Sequence, residues 1–241
     1  IFLADDVEKI SKFILQSIKI PEHVISDMMA AIEHNDKVLN VLRQKERQLE
    51  DSLGDEVEKE NKMAKERITP EQRNLRTEID GLYKLVKTIA LNDLFVPNKL
   101  THMRHWIQKD LVEREFSCNI EPNDVEKIML MEVKSSWKIL LLMGIGVFTN
   151  NHDNNYTEIM KQLAVQQKLY LIIASSDYIY GTNYQFCHGY ISKDLSNMTQ
   201  EKTIQALGRI GRNQLNKEYS IRFRDDSLIE KIFVDVEDRP E

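Results

Sequence analysis

Apolar positions along the chain follow two different periods. Residues 1–4 form a short apolar run that passes through Asp5 and Asp6 into a segment where Val7, Ile10, Phe13, Ile14 and Ile18 recur at helical spacing. An apolar run followed by an acid-opened amphipathic helix predicts a strand–helix unit. The same grammar returns near the other end: 145–149, 169–175, 189–191 and 219–224 read as strands. Between and after them, 156–166, a segment around Gln205, and 227–233 read as helices. Strands alternating with helices predict right-handed crossovers and an α/β fold, a parallel sheet with helices on both faces.

From 19 to 136 the texture is charged helix with almost no strand signal, so the sheet region is read as 1–18 plus 137–241 with a helical insertion between. Val38, Leu42, Leu49 and Leu53, and then Leu75, Ile79, Leu82, Val86 and Ile89, are spaced for a helical seam, which predicts an antiparallel hairpin of coiled-coil type. Thr69-Pro70-Glu71-Gln72 spells a helix start, with Thr69 as N-cap, Pro70 at the first helical position and Gln72 completing a capping box. The turn of the hairpin is therefore expected just before Thr69, and 92–98, with Val96-Pro97, ends the second arm. Residues 100–112 and 121–142 read as further helices. Such an arm either stays solvated or carries a protein partner.

Composition narrows the function classes. The 241 residues are 41% hydrophobic and 30% charged with a formal net charge of -6, so no global basic field advertises a polyanion and any such site must be a local cluster. Cys118 and Cys187 form no C-x-x-C pair, which excludes a disulfide framework and leaves a reducing, intracellular compartment, cytoplasm or nucleus, as the expectation. The longest apolar run, 139–148, is too short to cross a bilayer, and no membrane partner is expected. His102 and His105 share a helix face without a completing cysteine or carboxylate, so no metal site is expected there. The chain opens without a methionine or a basic stretch, so no signal peptide is read, and it reads as part of a longer polypeptide.

Two stretches carry candidate chemistry. Residues 205–212 read Gln-Ala-Leu-Gly-Arg-Ile-Gly-Arg; on one helix Gln205, Arg209 and Arg212 fall at i, i+4 and i+7, a polar stripe suited to anions. Gly208 and Gly211 each cost a helix about 1 kcal/mol, so close approach to a backbone or ligand is expected there. Upstream, the apolar strand ending at Ala174 runs into Ser175, Ser176 and a turn with Gly181 and Asn183, at the carboxyl edge where open sheets place ligands. Hydroxyls and amides in such a place can hold phosphate.

In this order the two stretches resemble motifs V and VI of the C-terminal RecA-like domain of superfamily 2 helicases, closest to the Ski-like and DEAH branches. The pattern Q-x-x-G-R-x-G-R is matched at every defined position, whereas Ser175 stands in place of a threonine, and Gln185 where proline often follows the Asn turn. Phe148 and Thr149 stand where the Ski-like branch has two histidines. The resemblance covers roughly 1–18 and 143–234, and Phe2-Leu3-Ala4 sits where motif IV belongs.

The resemblance implies the second motor domain of an ATP-dependent nucleic-acid helicase or translocase. Arg209 and Arg212 would be arginine fingers on the γ-phosphate, and Gln205 would position that phosphate or the attacking water. Gly208 and Gly211 would let this segment approach the nucleotide, and Gly181 and Asn183 would form the coupling turn. Ser175 and Ser176 would touch the backbone of DNA or RNA. No G-x-x-x-x-G-K-[ST] loop and no acidic Walker-B strand occurs in the 241 residues. ATP and Mg²⁺ would therefore be held mainly by an N-terminal RecA-like domain, and this stretch alone would be inactive. The competing expectation is a non-catalytic, degenerate RecA-like module that presents the helical arm to a protein.

Overall fold

The computed structural model describes residues 1–59, 69–106, 118, 120–149, 154–179, 186–195, 198–211 and 218–234. The chain divides into two compact units, one of Ile1–Ile20 with Leu91–Glu241 and one of Pro21–Ala90. The expected insertion of 19–136 takes in the second unit, and also residues from Leu91 onward that group with the first.

The first unit is α/β. It contains β1 (Phe2–Leu3), α1 (Val7–Ser17), α4 (Leu100–Trp106), α5 (Pro122–Met129), α6 (Ser135–Leu142), β2 (Ile145–Phe148), α7 (Asn154–Val165), β3 (Leu171–Ala174), β4 (His188–Ile191), α8 (Gln200–Leu207), β5 (Ser220–Phe223) and α9 (Ser227–Glu230). The second contributes α2 (Glu22–Lys59) and α3 (Pro70–Tyr83). Among the described residues the five strands form one sheet in the order β2-β3-β1-β4-β5, every neighbouring pair parallel.

Register sorts the side chains into two faces. Phe148, Ala174, Leu3 and Ile191 share one, and Val147, Ile173, Phe2 and Tyr190 the other. On the first face α7 lies so close to β2 that a Cβ on Gly146 would overlap Met160 Cε. Against β2 and β3 packs α1, held to α6 by the Trp137 indole N–H, which donates to Ser11 Oγ at 3.2 Å. Connections leaving β1 towards β2 and those leaving β2, β3 and β4 run in opposite directions across the sheet. Right-handed crossovers therefore put them on opposite faces, and the topological switch point falls at the carboxyl end of β1.

Burial is deepest where the sheet meets these helices: Ile139, Leu140, Leu141, Val147, Met160 and Ile173 are all 0% exposed. Between α6 and β2, Gly144 adopts φ 79°, and a Cβ there would lie 2.7 Å from Cys118 Cβ, so both conformation and space demand glycine. Burial also pushes the Cys118 thiol pKa up.

Three local expectations are revised. The face that α1 buries is Val7, Ser11 and Leu15, while Phe13 is 64% exposed, because the neighbouring Trp137 takes Ser11 as its hydrogen-bond partner. The helix read over 121–142 is broken between Met129 and Ser135; the buried Lys138 ammonium donates to the Met129 carbonyl at 3.1 Å, satisfying an acceptor that continuous helix would have used. The second arm leaves helix after Tyr83, short of Val86 and Ile89. There Asn35, from α2, binds both the N–H (2.9 Å) and the carbonyl (2.8 Å) of Lys87, and His34 Nε2 lies 3.1 Å from the Leu85 carbonyl.

Within the second unit the arms run antiparallel. Lys45 pairs with Glu78 at 2.8 Å and Glu46 with the Tyr83 hydroxyl at 2.8 Å, whereas the earlier Asn35 reaches the later Lys87. The capping box forms as the sequence predicts: Gln72 N–H donates to Thr69 Oγ1 at 3.2 Å and Thr69 N–H to Gln72 Oε1 at 3.1 Å. Of the predicted seam, Val38, Leu42, Ile79 and Ile89 are buried. Leu49, Leu75, Leu82 and Val86 are half-buried, and the Leu53 side chain lies outside the described residues.

Candidate functional site at the carboxyl edge of the sheet

At its carboxyl end β3 hands the chain to Ser175 and then to a 3-10 turn, Ser176–Ile179. The Ser175 hydroxyl is buried and makes no hydrogen bond, and the same is true of the Thr149 hydroxyl at the end of the adjacent β2. Phe148 lies opposite Ala174 in the register, so each of these adjacent strands ends one residue before its unsatisfied hydroxyl. Ser176 is half-buried at the start of the turn.

Beside that turn runs α8. Thr199 caps it, accepting from Lys202 N–H at 3.2 Å, and Thr203 and Ala206 face inward. Gln205 therefore lies on the exposed side. Lys202 pairs with Asp177 at 3.8 Å and so links α8 to the turn after β3.

The single-helix stripe predicted for 205–212 does not form. As α8 ends at Leu207, its last N–H groups tighten: Arg209 donates to Ala206 at 3.2 Å and Ile210 to Leu207 at 3.0 Å, a 3-10 pitch that carries Arg209 off the line of Gln205. Gly211 then turns to φ 78°, which no helix continues through. Gly208 caps α8 in right-handed conformation, and a Cβ on it would meet only carbonyls of the preceding turn, the nearest at 3.3 Å. Gly211 is tight against the Tyr219 ring, 3.2 Å from where its Cβ would be. The close approach expected at these glycines is thus to the chain's own backbone and to Tyr219. Arg209 is half-buried in the turn after α8. Arg212, Gly181 and Asn183 lie outside the described residues.

Sequence reasoning missed two features. Phe186 N–H donates to the Arg209 carbonyl at 3.2 Å and Gly211 N–H to the Phe186 carbonyl at 2.8 Å, a parallel bridge around Ile210. The signal available was Gly189, since a glycine inside a strand marks close approach of another group. The second is an acidic field at the switch point. Desolvation raises the Asp5 pKa, with Asp194 and Asp177 adding repulsion and Lys202 opposing them. Asp194 accepts the Asp6 N–H at 3.1 Å through one oxygen, and its other oxygen is buried without a partner.

Among the described residues no group of histidine, cysteine, aspartate or glutamate is placed to hold a metal ion. His102 keeps an unpartnered, buried Nδ1, and burial lowers its pKa. No described helix is long and apolar enough to cross a membrane. Compared with protein-family models and with curated proteins, the chain matches none of either.

Proposed function

We propose that the α/β unit is the RecA-like second motor domain of an ATP-dependent helicase or translocase. The observation that carries this reading is the Gln-x-x-Gly-Arg-x-Gly-Arg segment, which begins in the last turn of α8 and runs past its end, with α8 lying beside the turn that follows the parallel strand β3. Phosphoryl transfer spreads charge over the phosphate oxygens, and a guanidinium supplied across a domain cleft stabilises it. Arg209, half-buried in the turn after α8, would act as such a finger, and Arg212 and Gln205 would assist at the same γ-phosphate. Ser176 would meet the backbone of a DNA or RNA strand, while Ser175, whose hydroxyl is buried, would come into reach only on rearrangement. The turn at Gly181 and Asn183 would couple the two events. ATP and Mg²⁺ would bind chiefly to a domain carrying the phosphate loop.

One observation favours the other reading, a non-catalytic module whose hairpin engages a protein. The carboxylates of Asp5, Asp177 and Asp194 repel one another next to Ser176, a setting that disfavours the phosphates of a strand. ATP hydrolysis by the full-length polypeptide, with and without nucleic acid, decides between them. Arg209→Ala is expected to lower turnover by about 10³-fold or more with nucleotide binding retained. Unchanged turnover removes Arg209 from catalysis, and a full reading frame without a phosphate loop favours the protein-binding module.

A further inference from the structure

We infer that Gly189 and Ile210 form a socket and knob that, with Phe186, set the position of Arg209. They are positioning residues; their consequence for turnover rests on the motor-domain reading, but the seating itself does not. Gly189 is a buried residue within β4, between two paired strands, where glycine has neither propensity nor packing to recommend it. Its reason is the Ile210 side chain: a Cβ at 189 would overlap Ile210 Cδ1 and lie 3.2 Å from Cγ1.

The backbone fixes the position of the neighbouring residue. Phe186 bonds to residues on both sides of Ile210, accepting from Gly211 N–H and donating to the Arg209 carbonyl. Arg209 sits in the 3-10 turn immediately before this bridge with its carbonyl held by Phe186, so the seat of Ile210 on the sheet fixes where the Arg209 backbone lies. Gly211, in left-handed conformation against Tyr219, closes the segment on the other side. The arginine is thereby tied to the residues just before β4, and a change in that stretch is transmitted to it through two backbone hydrogen bonds.

A methyl group in the socket lifts the knob, and a displacement of about 1 Å is enough to cost roughly 10²-fold in a positioned reaction. The test compares Gly189→Ala, the double variant Gly189→Ala with Ile210→Val, and Arg209→Ala in the full-length polypeptide. ATP turnover is read together with hydrogen exchange at the Phe186 and Gly211 amides. Gly189→Ala is expected to lose about 10²-fold in turnover and to speed exchange at both amides. Ile210→Val removes Cδ1, the overlapping atom, and the double variant is expected to recover both readouts to within about threefold of the parent.

Full turnover with protected amides in Gly189→Ala overturns the inference, and so does a folded double variant that recovers neither. Should Gly189→Ala fail to fold, Ile210→Ala empties the socket instead; unchanged amide exchange in that variant also overturns the inference. Normal turnover in Arg209→Ala sinks the finger assignment alone, because the amide exchange then still reports whether the knob seats Arg209.

Discussion

The hairpin of Pro21–Ala90 and the sheet of the α/β unit reach stability by different routes. In the hairpin the buried line is narrow, Met28, Ile32, Leu39 and Leu42 on one arm, and much of the closure is polar, through Asn35, His34, Glu46 and Lys45. In the sheet, side chains such as Val147 and Ile173 are covered completely, and neighbouring strands contribute to one continuous core. A hairpin built this way depends on directional bonds at a few points, whereas the sheet depends on volume filled everywhere.

The sharpest way to break that contrast is to hollow the sheet. Ile173→Ala is expected to cost about 3–4 kcal/mol in urea unfolding, the transfer term plus a cavity that two flanking strands keep from collapsing. A loss under about 1 kcal/mol would mean that the strands are not the stabilising core. In the hairpin the largest single effect is expected at Asn35→Ala, about 2 kcal/mol. Asn35 is 2% exposed, and its removal strands both the N–H and the carbonyl of Lys87. If Asn35→Leu, which fills the space without making the bonds, matched the parent, packing rather than polar closure would hold the hairpin. Smallest is Thr69→Ala, about 1 kcal/mol, detectable as a lower melting midpoint of the helical signal. An equal effect from Thr69→Gly would mean that Thr69 contributes more than its cap, since glycine is itself tolerated there.

The same contrast explains which features the sequence made legible. Contiguous apolar runs such as Leu171-Ile172-Ile173-Ala174 predict strands buried on both faces, and their alternation with amphipathic helices predicts the parallel order. The capping box at Thr69 was readable because its partners lie within one turn of each other. At the candidate site the residue types were legible and their geometry was not. Gln205 and Arg209 share a helical spacing in sequence, yet the chain tightens after Leu207 and turns at Gly211 because Phe186, from a distant stretch, offers those residues backbone partners. The orphaned hydroxyl of Ser175 has a similar origin, since its burial depends on what packs over the edge of the sheet rather than on its neighbours in sequence.

Period, caps and turn chemistry act over a few residues, so the chain's own order sufficed for the α/β alternation, for the antiparallel arms, and for bringing two arginines and two glycines into one segment. Where α3 stops, why the helix read over 121–142 breaks, and where Arg209 sits were decided by Asn35, Lys138 and Phe186, each bonded to a backbone group beyond the reach of a single helical turn. A backbone group takes whichever partner the folded chain brings within reach, and local periodicity carries no record of partners that only folding brings near.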